Sequence, residues 1–357
     1  MELTSLSVQY VRRLAQVSLK PARRQNLICG DNGSGKTSVL EAIHYLATAR
    51  SFRTSRAGEV ITHGHDALTV AGEFTAGDGT PYRVGVEKTR GATRLKLNGE
   101  NLNVASKIAR LIPVLTFNTE SYLLLNGGPS NRRALLDRLL FHVEQDYLEV
   151  LKTYHRCLKQ RNALLRARSS SGQIGSWDEQ LAEAANRIDG WRSECVNRVN
   201  ACLGDSPLSE SIGELSFQYR RGWQAETPLI TLLEKNRSRD MESGNTMAGP
   251  HRAELRIDIG GATAKSIVSR GQGKLIIGAI VSAQARYLGR YAEERPILLI
   301  DDLASELDRE ARRKAVESLL STDAQCFFTA IESSDLPPEL VGSSEMFHVE
   351  QGVVRAG

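Results

Sequence analysis

Hydrophobic and polar positions alternate over short segments in the first hundred residues of the chain. The segments with this pattern are residues 2–20, 68–75, 82–88 and 93–97, and turns such as AGDGT and LNGE separate them. Alternation with a period of two is typical of strands with one buried face. We therefore predict an antiparallel sheet in this part of the chain.

A different pattern begins at residue 25. Residues 25–29, QNLIC, have the apolar character of a short buried strand and lead directly into a glycine-rich loop. After that loop, Val39, Ile43 and Leu46 have the spacing of the buried face of a helix. A strand, a loop and a helix are thus predicted in immediate succession.

Two long helices are predicted in the middle of the chain. In residues 144–168, one helical stripe consists of Tyr147, Leu151, Tyr154, Leu158 and Leu165. This helix is expected to stop at SSSGQIG, and a second to begin at SWDE, where Ser176 and Glu179 have capping-box spacing. The buried positions of the second helix are Leu181, Ile188, Cys195 and Cys202, with Ala184 and Trp191 between them. The short break favours an antiparallel hairpin with arms of about 35–40 Å.

Short strands return after residue 245. GKLIIGAIVSAQARYLG is apolar almost all round, as in a buried helix, and RPILLIDD and QCFFTA have the pattern of buried strands. We therefore predict an α/β fold with mixed sheets and helices, formed by residues 1–118 and 245–357. An all-helical lobe, residues 119–244, is predicted to be inserted into it.

Composition limits the class of protein. The chain has 357 residues, of which 41% are hydrophobic and 25% charged, as expected for a soluble globular protein with two lobes. No apolar run reaches the length of about 18 residues that a membrane span needs. The N-terminus lacks a secretory pattern, so we expect a cytoplasmic location. The five scattered cysteines fit neither a disulfide framework nor a zinc site and are predicted to be reduced core thiols.

Residues 30–37, GDNGSGKT, match the phosphate-binding loop (P-loop) pattern at every fixed position. Glycines let backbone N–H groups approach phosphate oxygens, and the N-terminus of the following helix adds a partial positive charge. Lys36 is expected to reach the β- and γ-phosphates of ATP, and Thr37 to bind Mg²⁺. The residues predicted to hold the nucleotide here are Gly30, Asp31, Asn32, Gly33, Ser34, Gly35, Lys36, Thr37 and Ser38.

Two acidic residues follow the apolar strand ILLI. Asp301 is the expected Walker B carboxylate, which holds Mg²⁺ directly or through water. Asp302 is the candidate general base for an attacking water. Its side chain is shorter than that of a glutamate, so we predict slow hydrolysis. The predicted catalytic residues are Lys36, Asp301 and Asp302.

Residues 268–274, VSRGQGK, form a second candidate anion site. Ser269, Gly271 and Gln272 precede a helix, whose N-terminus favours negative charge. The motifs follow in the order P-loop, SRGQ at 269–272, PILLIDD, and SELD at 305–308. This order resembles that of the nucleotide-binding heads of the ABC ATPase superfamily. In those heads the SxGQ turn contacts the γ-phosphate bound by a second molecule, which implies that ATP is held between two copies of the chain.

Several longer stretches are not generic to P-loop proteins. They are GDNGSGKTSVLEAIHYL, ARSFRT, LLNGGPSNRRALLDRLLFH, LKQRNALL, AGPHRAEL, SRGQGK and LLIDDLASELD. Over essentially the whole chain they resemble the RecF family of bacterial DNA replication and repair proteins, short relatives of the Rad50 and SMC heads. The resemblance implies an ATP-dependent homodimer that clamps DNA at gaps or stalled forks. It also implies action with RecO and RecR to load recombinase, support of the SOS response, and a weak DNA-stimulated ATPase activity.

The resemblance also assigns roles to single positions. It makes Ser269, Arg270, Gly271 and Gln272 the signature that acts on the partner's nucleotide, and Ser305 to Asp308 a loop that crosses the dimer seam. Arg270 replaces a glycine of transporter signatures, so it is a candidate cation near the partner's phosphate. Two positions depart from transporter heads, because Asn118-Thr119-Glu120 follows the strand IPVLTF instead of a glutamine, and QCFFT ends at Thr329 without a histidine. Both departures fit weak hydrolysis.

The charge of the chain permits DNA binding without requiring it. The formal net charge is +4, and the basic residues form short clusters, most of which are expected to be solvated surface. The best candidates for DNA contacts are Arg50, Arg53 and Arg56, followed by Arg132 and Arg133. No basic strand with interleaved aromatics is present, so we predict sequence-independent backbone contact with duplex or junction DNA.

Three other functions compete with this interpretation. The first is an ATPase subunit of an ABC transporter, against which the helical insertion and the missing histidine argue. The second is a scaffold that binds ATP without significant hydrolysis, which the motifs serve equally well. The third is a P-loop kinase, which would need neither SRGQ nor SELD.

Overall fold

A computed structural model describes residues 1–266, 269–305 and 307–357, without the side chains of residues 210, 266 and 270. The strands, in chain order, are β1 Glu2–Val11, β2 Leu14–Leu19, β3 Gln25–Cys29, β4 Ala67–Thr75, β5 Pro81–Thr89, β6 Thr93–Leu97, β7 Glu100–Leu102, β8 Val114–Phe117, β9 Leu215–Arg220, β10 Glu254–Ile259, β11 Ala262–Thr263, β12 Ile297–Ile300, β13 Gln325–Ala330, β14 Glu345–Glu350 and β15 Val353–Ala356.

The helices, in chain order, are α1 Lys36–Thr48, α2 Ala57–Val60, α3 Ser106–Leu111, α4 Leu123–Asn126, α5 Pro129–Val143, α6 Tyr147–Arg166, α7 Ser171–Gly204, α8 Ser209–Ile212, α9 Leu229–Lys235, α10 Arg237–Ser243, α11 Arg270–Tyr291, α12 Arg309–Leu320 and α13 Pro338–Val341. Single turns of 3-10 helix lie at Thr119–Tyr122, Pro250–Arg252, Ala264–Ser266 and Ser333–Asp335. The α/β fold class predicted from the sequence is confirmed.

The first compact unit comprises Met1–Tyr122, Asp205–Gly213 and Val268–Gly357. It contains an antiparallel sheet in the order β2-β1-β4-β5-β6-β7, which confirms the sheet predicted from the alternating segments. Its second sheet has the order β15-β14-β3-β13-β12-β8 and is parallel except for β15. Side chains from both sheets and from α1 share one hydrophobic core, for example Leu6, Ile43, Val70, Leu299 and Phe327.

The order of the parallel strands positions the functional loops. Strand β13 lies between β3 and β12, and all three run in the same direction. The carboxyl ends of parallel strands meet at one edge of a sheet. The loops that follow β3 and β12 therefore lie on either side of the end of β13.

The second compact unit comprises Leu123–Gly204 and Glu214–Ile267. Helices α6 and α7 pack against each other, as predicted for the hairpin, and a three-stranded sheet has the order β11-β10-β9. The unit is therefore helical with a small sheet, and not all-helical. The predicted segment 119–244 differs from these bounds because β9 pairs with β10, which keeps residues 254–263 in this unit. Residues 205–213 belong to the first unit, where Asp205 pairs with Arg290.

The predicted start of the second long helix at Ser176 is wrong. Helix α7 begins at Ser171, and the Ser176 hydroxyl donates to the Gln173 carbonyl inside the helix. The cap lies six residues earlier, because the Ser170 backbone N–H donates to Gln173 Oε1 at 3.2 Å and the Gln173 N–H donates to Ser170 Oγ at 3.5 Å. Two successive capping-box patterns, Ser170 to Gln173 and Ser176 to Glu179, occur in SSSGQIGSWDE, and the first one caps the helix.

The remaining compositional predictions concern cysteines and the membrane. All five cysteines are buried and free, as predicted. Burial raises the pKa of the Cys326 thiol to about 12, which keeps it protonated. Among the helices of the described ranges, none combines the length and the apolar character needed to cross a bilayer.

A buried ion cluster stabilises the second unit. Arg161, in the motif LKQRNALL, is fully buried, and its guanidinium donates to Asp178 at 2.6 Å and to Asp240 at 2.7 Å. It also donates to the Thr246 hydroxyl at 2.8 Å and the Leu233 carbonyl at 3.1 Å. One side chain thereby connects α6, α7, α9 and α10.

Replacing Arg161 by methionine is expected to lower the free energy of unfolding by about 3–5 kcal/mol, because it leaves the buried Asp240 without its cation and Asp178 with only that of Arg237. Lys159→Met, an exposed change on the same helix, serves as the control and is expected to cost less than about 0.5 kcal/mol. Urea denaturation followed by circular dichroism measures both. A loss below about 1 kcal/mol for Arg161→Met would show that the cluster contributes little.

Candidate nucleotide-binding site

The P-loop connects β3 to α1 and requires glycine at two positions. Gly30 has φ 150°, and a Cβ there would lie 2.2 Å from the Val349 carbonyl oxygen. Gly35 has φ 124° and precedes α1 without any side-chain cap on the first turn of the helix. The first N–H groups of α1 are therefore not bound by a capping side chain, which is what an anion site at a helix N-terminus needs.

Lys36 folds back over its own loop. Its ammonium donates to the carbonyl oxygens of Gly30 at 2.6 Å and Asp31 at 2.9 Å. Burial lowers the pKa of Lys36, and the carboxylates of Asp301 and Asp302 oppose that shift. The cation is thus held at the mouth of the loop by weak acceptors that a phosphate can replace.

Ser34 is a second sign that the loop is built for an anion. Its side chain is buried, and within the part of the chain that the structure describes its hydroxyl oxygen has no hydrogen-bond partner. A buried hydroxyl without a partner is costly. A phosphate oxygen in the loop would provide one.

The Asp301 carboxylate contacts the first turn of α1 and the end of β13. The Thr37 hydroxyl donates to the Asp301 carboxylate, with both oxygens at 3.0 Å, and the Thr329 hydroxyl donates to Oδ1 at 2.8 Å. Burial raises the pKa of Asp301, while the bonds from Thr329 and Thr37 lower it. Nearby positive charge would favour the ionised form.

The donor set at this point fits Mg²⁺. Thr37 and Asp301 supply a hydroxyl and a carboxylate, which are hard oxygen ligands, within hydrogen-bond distance of each other. The described ranges contain no cluster of three His, Cys, Asp or Glu residues that could hold a metal by themselves. Mg²⁺ is characteristically bound by one or two protein oxygens together with waters and substrate phosphates. These residues therefore suit Mg²⁺ better than a metal that needs a complete protein cage.

Asp302 has an unusual backbone conformation. Its φ is 52°, in the left-handed region that non-glycine residues rarely adopt. The conformation is fixed on both sides, because the Asp302 N–H donates to Thr329 Oγ1 at 2.9 Å and its carbonyl accepts from Lys274 at 2.9 Å. Its carboxylate is exposed, which suits contact with an attacking water.

The signature turn caps helix α11. The Gln272 backbone N–H donates to Ser269 Oγ at 3.4 Å, and the Ser269 N–H donates to Gln272 Oε1 at 3.1 Å. Both side chains are exposed. The two groups therefore satisfy each other at the surface of the single chain. The predicted role of the Arg270 side chain lies outside the described atoms.

Two cations hold the segment around SELD by its backbone. Lys274 of α11 donates to the carbonyl and the hydroxyl of Ser305, the carbonyl at 2.6 Å. Arg312 of α12 donates to the carbonyls of Ala304 at 3.0 Å and Leu307 at 3.1 Å, and to that of Asp335. Glu306 lies outside the described residues. The backbone of residues 304, 305 and 307 is thus bound to α11 and α12.

The two departures from transporter heads have local explanations. Asn118 and Ser121 exchange hydrogen bonds at 3.1 Å in both directions, so the asparagine caps the turn Thr119–Tyr122. Thr329, which ends QCFFT, contacts both Walker B residues. A hydroxyl at the end of β13 thus lies where the two acidic residues meet.

The candidate DNA-contacting arginines form two different groups. Residues 50–56, called the basic loop here, follow α1, and residues 50–55 line a cleft of about 620 Å³ together with Lys88 and Glu120. Arg50, Arg53 and Arg56 of the loop are exposed. Arg56 pairs at 3.3 Å with Glu59, which is itself exposed.

The side chains of Arg132 and Arg133 form hydrogen bonds within the second unit. Arg132 is 13% exposed, forms a bidentate pair with Glu254 at 2.9 and 3.0 Å, and donates to the Gly127 carbonyl. Arg133 donates to the Ala253 carbonyl at 2.8 Å, and burial lowers its pKa. Their hydrogen-bonding groups stabilise the fold, so we no longer include them among the proposed DNA contacts.

Sequence reasoning missed several residues that support the site. They are Arg12, Glu41, Lys88, Lys274 and Arg312. The role of Thr329 as a bridge between Asp301 and Asp302 was also missed. Glu41 is fully buried on α1 and forms a bidentate pair with Arg12 at 2.9 Å for both bonds. A glutamate within the apolar face of a helix was the available signal, since such a group is seldom buried without a cation.

Comparison with known proteins places the chain in a family. The model described as the RecF/RecN/SMC N terminal domain matches residues 2–354. The chain is 39% identical to the DNA replication and repair protein RecF of Thioalkalivibrio sulfidiphilus (strain HL-EbGR7) over 360 residues, with 100% of each chain covered. It is 36% identical, at the same coverage, to the protein of that name from Vibrio parahaemolyticus serotype O3:K6 (strain RIMD 2210633).

Solved structures agree. A structure described as the recombination mediator protein RecF-ATP in the RecFOR pathway superposes with a TM-score of 0.87 at 26% identity, covering 100% of this chain and 97% of that one. An Smc head bound to the C-winged helix domain of ScpA superposes with a TM-score of 0.61 at 15% identity, covering 100% and 97%. The second likeness concerns the fold alone.

Proposed function

The chain belongs to the RecF family, and from this membership we propose that it is an ATP-dependent DNA-binding protein of recombinational repair and replication. The observation that carries the proposal is the meeting of Thr37 and Asp301, 264 residues apart in the chain, behind an uncapped P-loop. The same arrangement of a strand, a P-loop and a second acidic strand end is the basis of ATP binding in P-loop proteins.

ATP is proposed to bind with its phosphates on residues 30–38. Lys36 exchanges the carbonyls of Gly30 and Asp31 for phosphate oxygens, and Ser34 gains its missing partner. Mg²⁺, when bound, neutralises phosphate charge and is held by Thr37 and Asp301. The relatives' structure with ATP, described above, supports the choice of nucleotide.

The active form is proposed to be a homodimer with ATP between the two copies. The exposed turn of Ser269, Gly271 and Gln272 presents the N-terminus of α11, which favours an anion. In the single chain Ser269 and Gln272 bond only to groups of their own turn in the contacts described above. A γ-phosphate from the partner would give this turn a charged ligand and would join the two subunits.

Hydrolysis is proposed to be slow and to reset the dimer. Asp302 is the proposed base, and its short side chain and constrained backbone limit its reach. Neither a glutamine after β8 nor a histidine after β13 is present to sense the nucleotide. Turnover that is weak and stimulated by DNA fits these residues.

DNA is proposed to bind through its backbone to the basic loops of both subunits. Phosphate contacts from two subunits double the electrostatic term and make the affinity depend steeply on salt. The family membership supports duplex or junction DNA at gaps and stalled forks, action with RecO and RecR in loading recombinase, and support of the SOS response. A cytoplasmic location fits these partners.

Molar mass in solution tests the proposal. The single chain has a mass of 39.3 kDa, and light scattering after gel filtration is expected to give this value with ADP and twice this value with a non-hydrolysable ATP analogue. Duplex DNA is expected to stabilise the dimer. A single-subunit mass at every protein concentration, with the analogue and DNA both present, would contradict the proposal.

Removing the Thr329 hydroxyl is expected to lower ATP turnover about 10- to 100-fold while leaving nucleotide affinity within about threefold. Thr329→Val deletes a hydrogen bond to a charged group and leaves the Asp302 N–H without its acceptor, a loss of about 1.5–3 kcal/mol in positioning. Thr329→Ser keeps the hydroxyl and is the matched control. Phosphate release and a fluorescent nucleotide titration give the two quantities, and equal turnover of both variants would refute the role.

A scaffold that binds ATP without significant hydrolysis is the second candidate. The departures at Asn118 and Thr329 favour it, since both positions differ from those of active transporter heads. Steady-state phosphate release with and without DNA separates the two candidates. If the rate is at background in both conditions, the scaffold is the remaining candidate. The dimer proposal is then still tested by the measurement of molar mass.

A further inference from the structure

A buried carboxylate lies between the nucleotide site and the basic loop. Glu41 is on α1, one turn after Thr37, and is 0% exposed. Arg12 donates to both of its oxygens, from Nε and Nη2, at 2.9 Å each. A bidentate pair of this kind is strong and has a defined geometry. Glu41 is therefore fixed in one position relative to the first turns of α1.

The basic loop is attached to this carboxylate by one hydroxyl. Ser51 Oγ donates to Glu41 Oε1 at 2.5 Å and accepts the backbone N–H groups of Arg53 at 2.9 Å and Thr54 at 3.1 Å. The Arg53 guanidinium also lies 3.9 Å from the second oxygen of Glu41. Ser51 thus sets the backbone of the loop that carries the proposed DNA contacts.

The turn that carries Arg12 also contacts the P-loop. Arg12 lies in the turn between β1 and β2 with φ 56°, a left-handed conformation. The next residue, Arg13, donates to the Gly33 carbonyl at 2.7 Å. The turn that holds Glu41 therefore also contacts the backbone of the phosphate-binding loop.

We propose that the Glu41–Ser51 contact is the positioning contact through which the nucleotide on the P-loop changes the affinity of the basic loop for DNA. The proposal rests on the proposed function and deepens it. A displacement of α1 or of the P-loop moves Glu41 and Arg12, and Ser51 transmits it to the backbone of Arg53 and Thr54. His44 and Thr48 of α1 hold the start of the loop by the Arg50 backbone. Such coupling is reciprocal, so DNA also raises the affinity for ATP by the same factor.

Three full-length variants separate this coupling from a purely structural role. Ser51→Ala removes the hydroxyl and leaves the Arg12–Glu41 pair intact. Ser51→Thr keeps a hydroxyl at a position that lines the cleft. Ser55→Ala, an exposed change in the same loop, is the matched control.

The quantity to measure is the ratio of DNA affinities with a non-hydrolysable ATP analogue and with ADP. A labelled short duplex of arbitrary sequence is titrated by anisotropy in both nucleotides, and molar mass with the analogue is measured for each variant. Ser51→Ala is expected to reduce the ratio about tenfold, which is the usual effect of losing a charge-assisted hydrogen bond. Ser51→Thr and Ser55→Ala are expected to keep the ratio within about twofold.

The outcomes are distinguishable. If the unchanged protein shows no gain in DNA affinity with the analogue, the proposed function fails, and the coupling with it. If it shows the gain and Ser51→Ala keeps the ratio, only the coupling is wrong. If Ser51→Ala weakens DNA binding equally in both nucleotides, the hydroxyl shapes the loop without transmitting the nucleotide state, which also overturns the coupling.

Discussion

With arginine in place of Ser269, the protein is expected to bind ATP normally and yet to stay a single subunit at concentrations at which the unchanged protein dimerises. Arginine cannot accept the N–H of Gln272, so the capping box is lost. Its longer side chain also occupies the space in front of the N-terminus of α11, where the partner's γ-phosphate is proposed to lie. The P-loop of the same chain keeps all its contacts.

The expected loss in dimer affinity is at least about a thousandfold. Each of the two symmetric sites loses its contact, and about 2 kcal/mol per site amounts to about 4 kcal/mol for the dimer. Light scattering with the analogue measures dimerisation, and a fluorescent nucleotide titration measures binding. Ser176→Arg, an equal substitution at an exposed position of α7, is expected to change neither. Normal dimerisation of Ser269→Arg would show that the turn does not act on a partner.

The centre of the first unit could be predicted from the sequence because its signals are local. QNLIC and ILLI are short apolar runs that end in a glycine-rich loop and an acidic pair, and the structure has β3 and β12 there. The apolar GKLIIGAIVSAQARYLG lies in the buried helix α11. Where a few adjacent residues determine the conformation, periodicity and loop chemistry are sufficient.

Contacts between distant residues could not be predicted in the same way. Arg132 looked like a surface cation in sequence, but Glu254, 122 residues away, pairs with it. The hydroxyl of Thr329 gains its role only because β13 lies between β3 and β12. Neither strand order nor side-chain partners are encoded in the local spacing of apolar residues. The same limit explains why the small sheet of the second unit was missed.

Replacing Lys36 by methionine is expected to abolish ATP-dependent dimerisation for a different reason. Methionine has a similar shape but no charge. The P-loop therefore loses the ammonium group that is expected to leave the carbonyl oxygens of Gly30 and Asp31 and to bind phosphate oxygens. A charge-assisted bond contributes about 1.5–3 kcal/mol, so nucleotide affinity is expected to fall about 10- to 100-fold. Light scattering with the analogue is expected to give the single-subunit mass.

Mixing the two defective proteins tests the sandwich directly. In a heterodimer of Lys36→Met and Ser269→Arg, one site combines the intact P-loop of the Ser269→Arg subunit with the intact signature of the Lys36→Met subunit. The other site carries both defects. Each homodimer damages both sites, whereas the heterodimer keeps one whole, so the mixture is expected to dimerise and to hydrolyse ATP where neither variant does alone. A P-loop and a signature that served the same subunit would gain nothing from mixing, and an inactive monomeric mixture would therefore contradict the shared site.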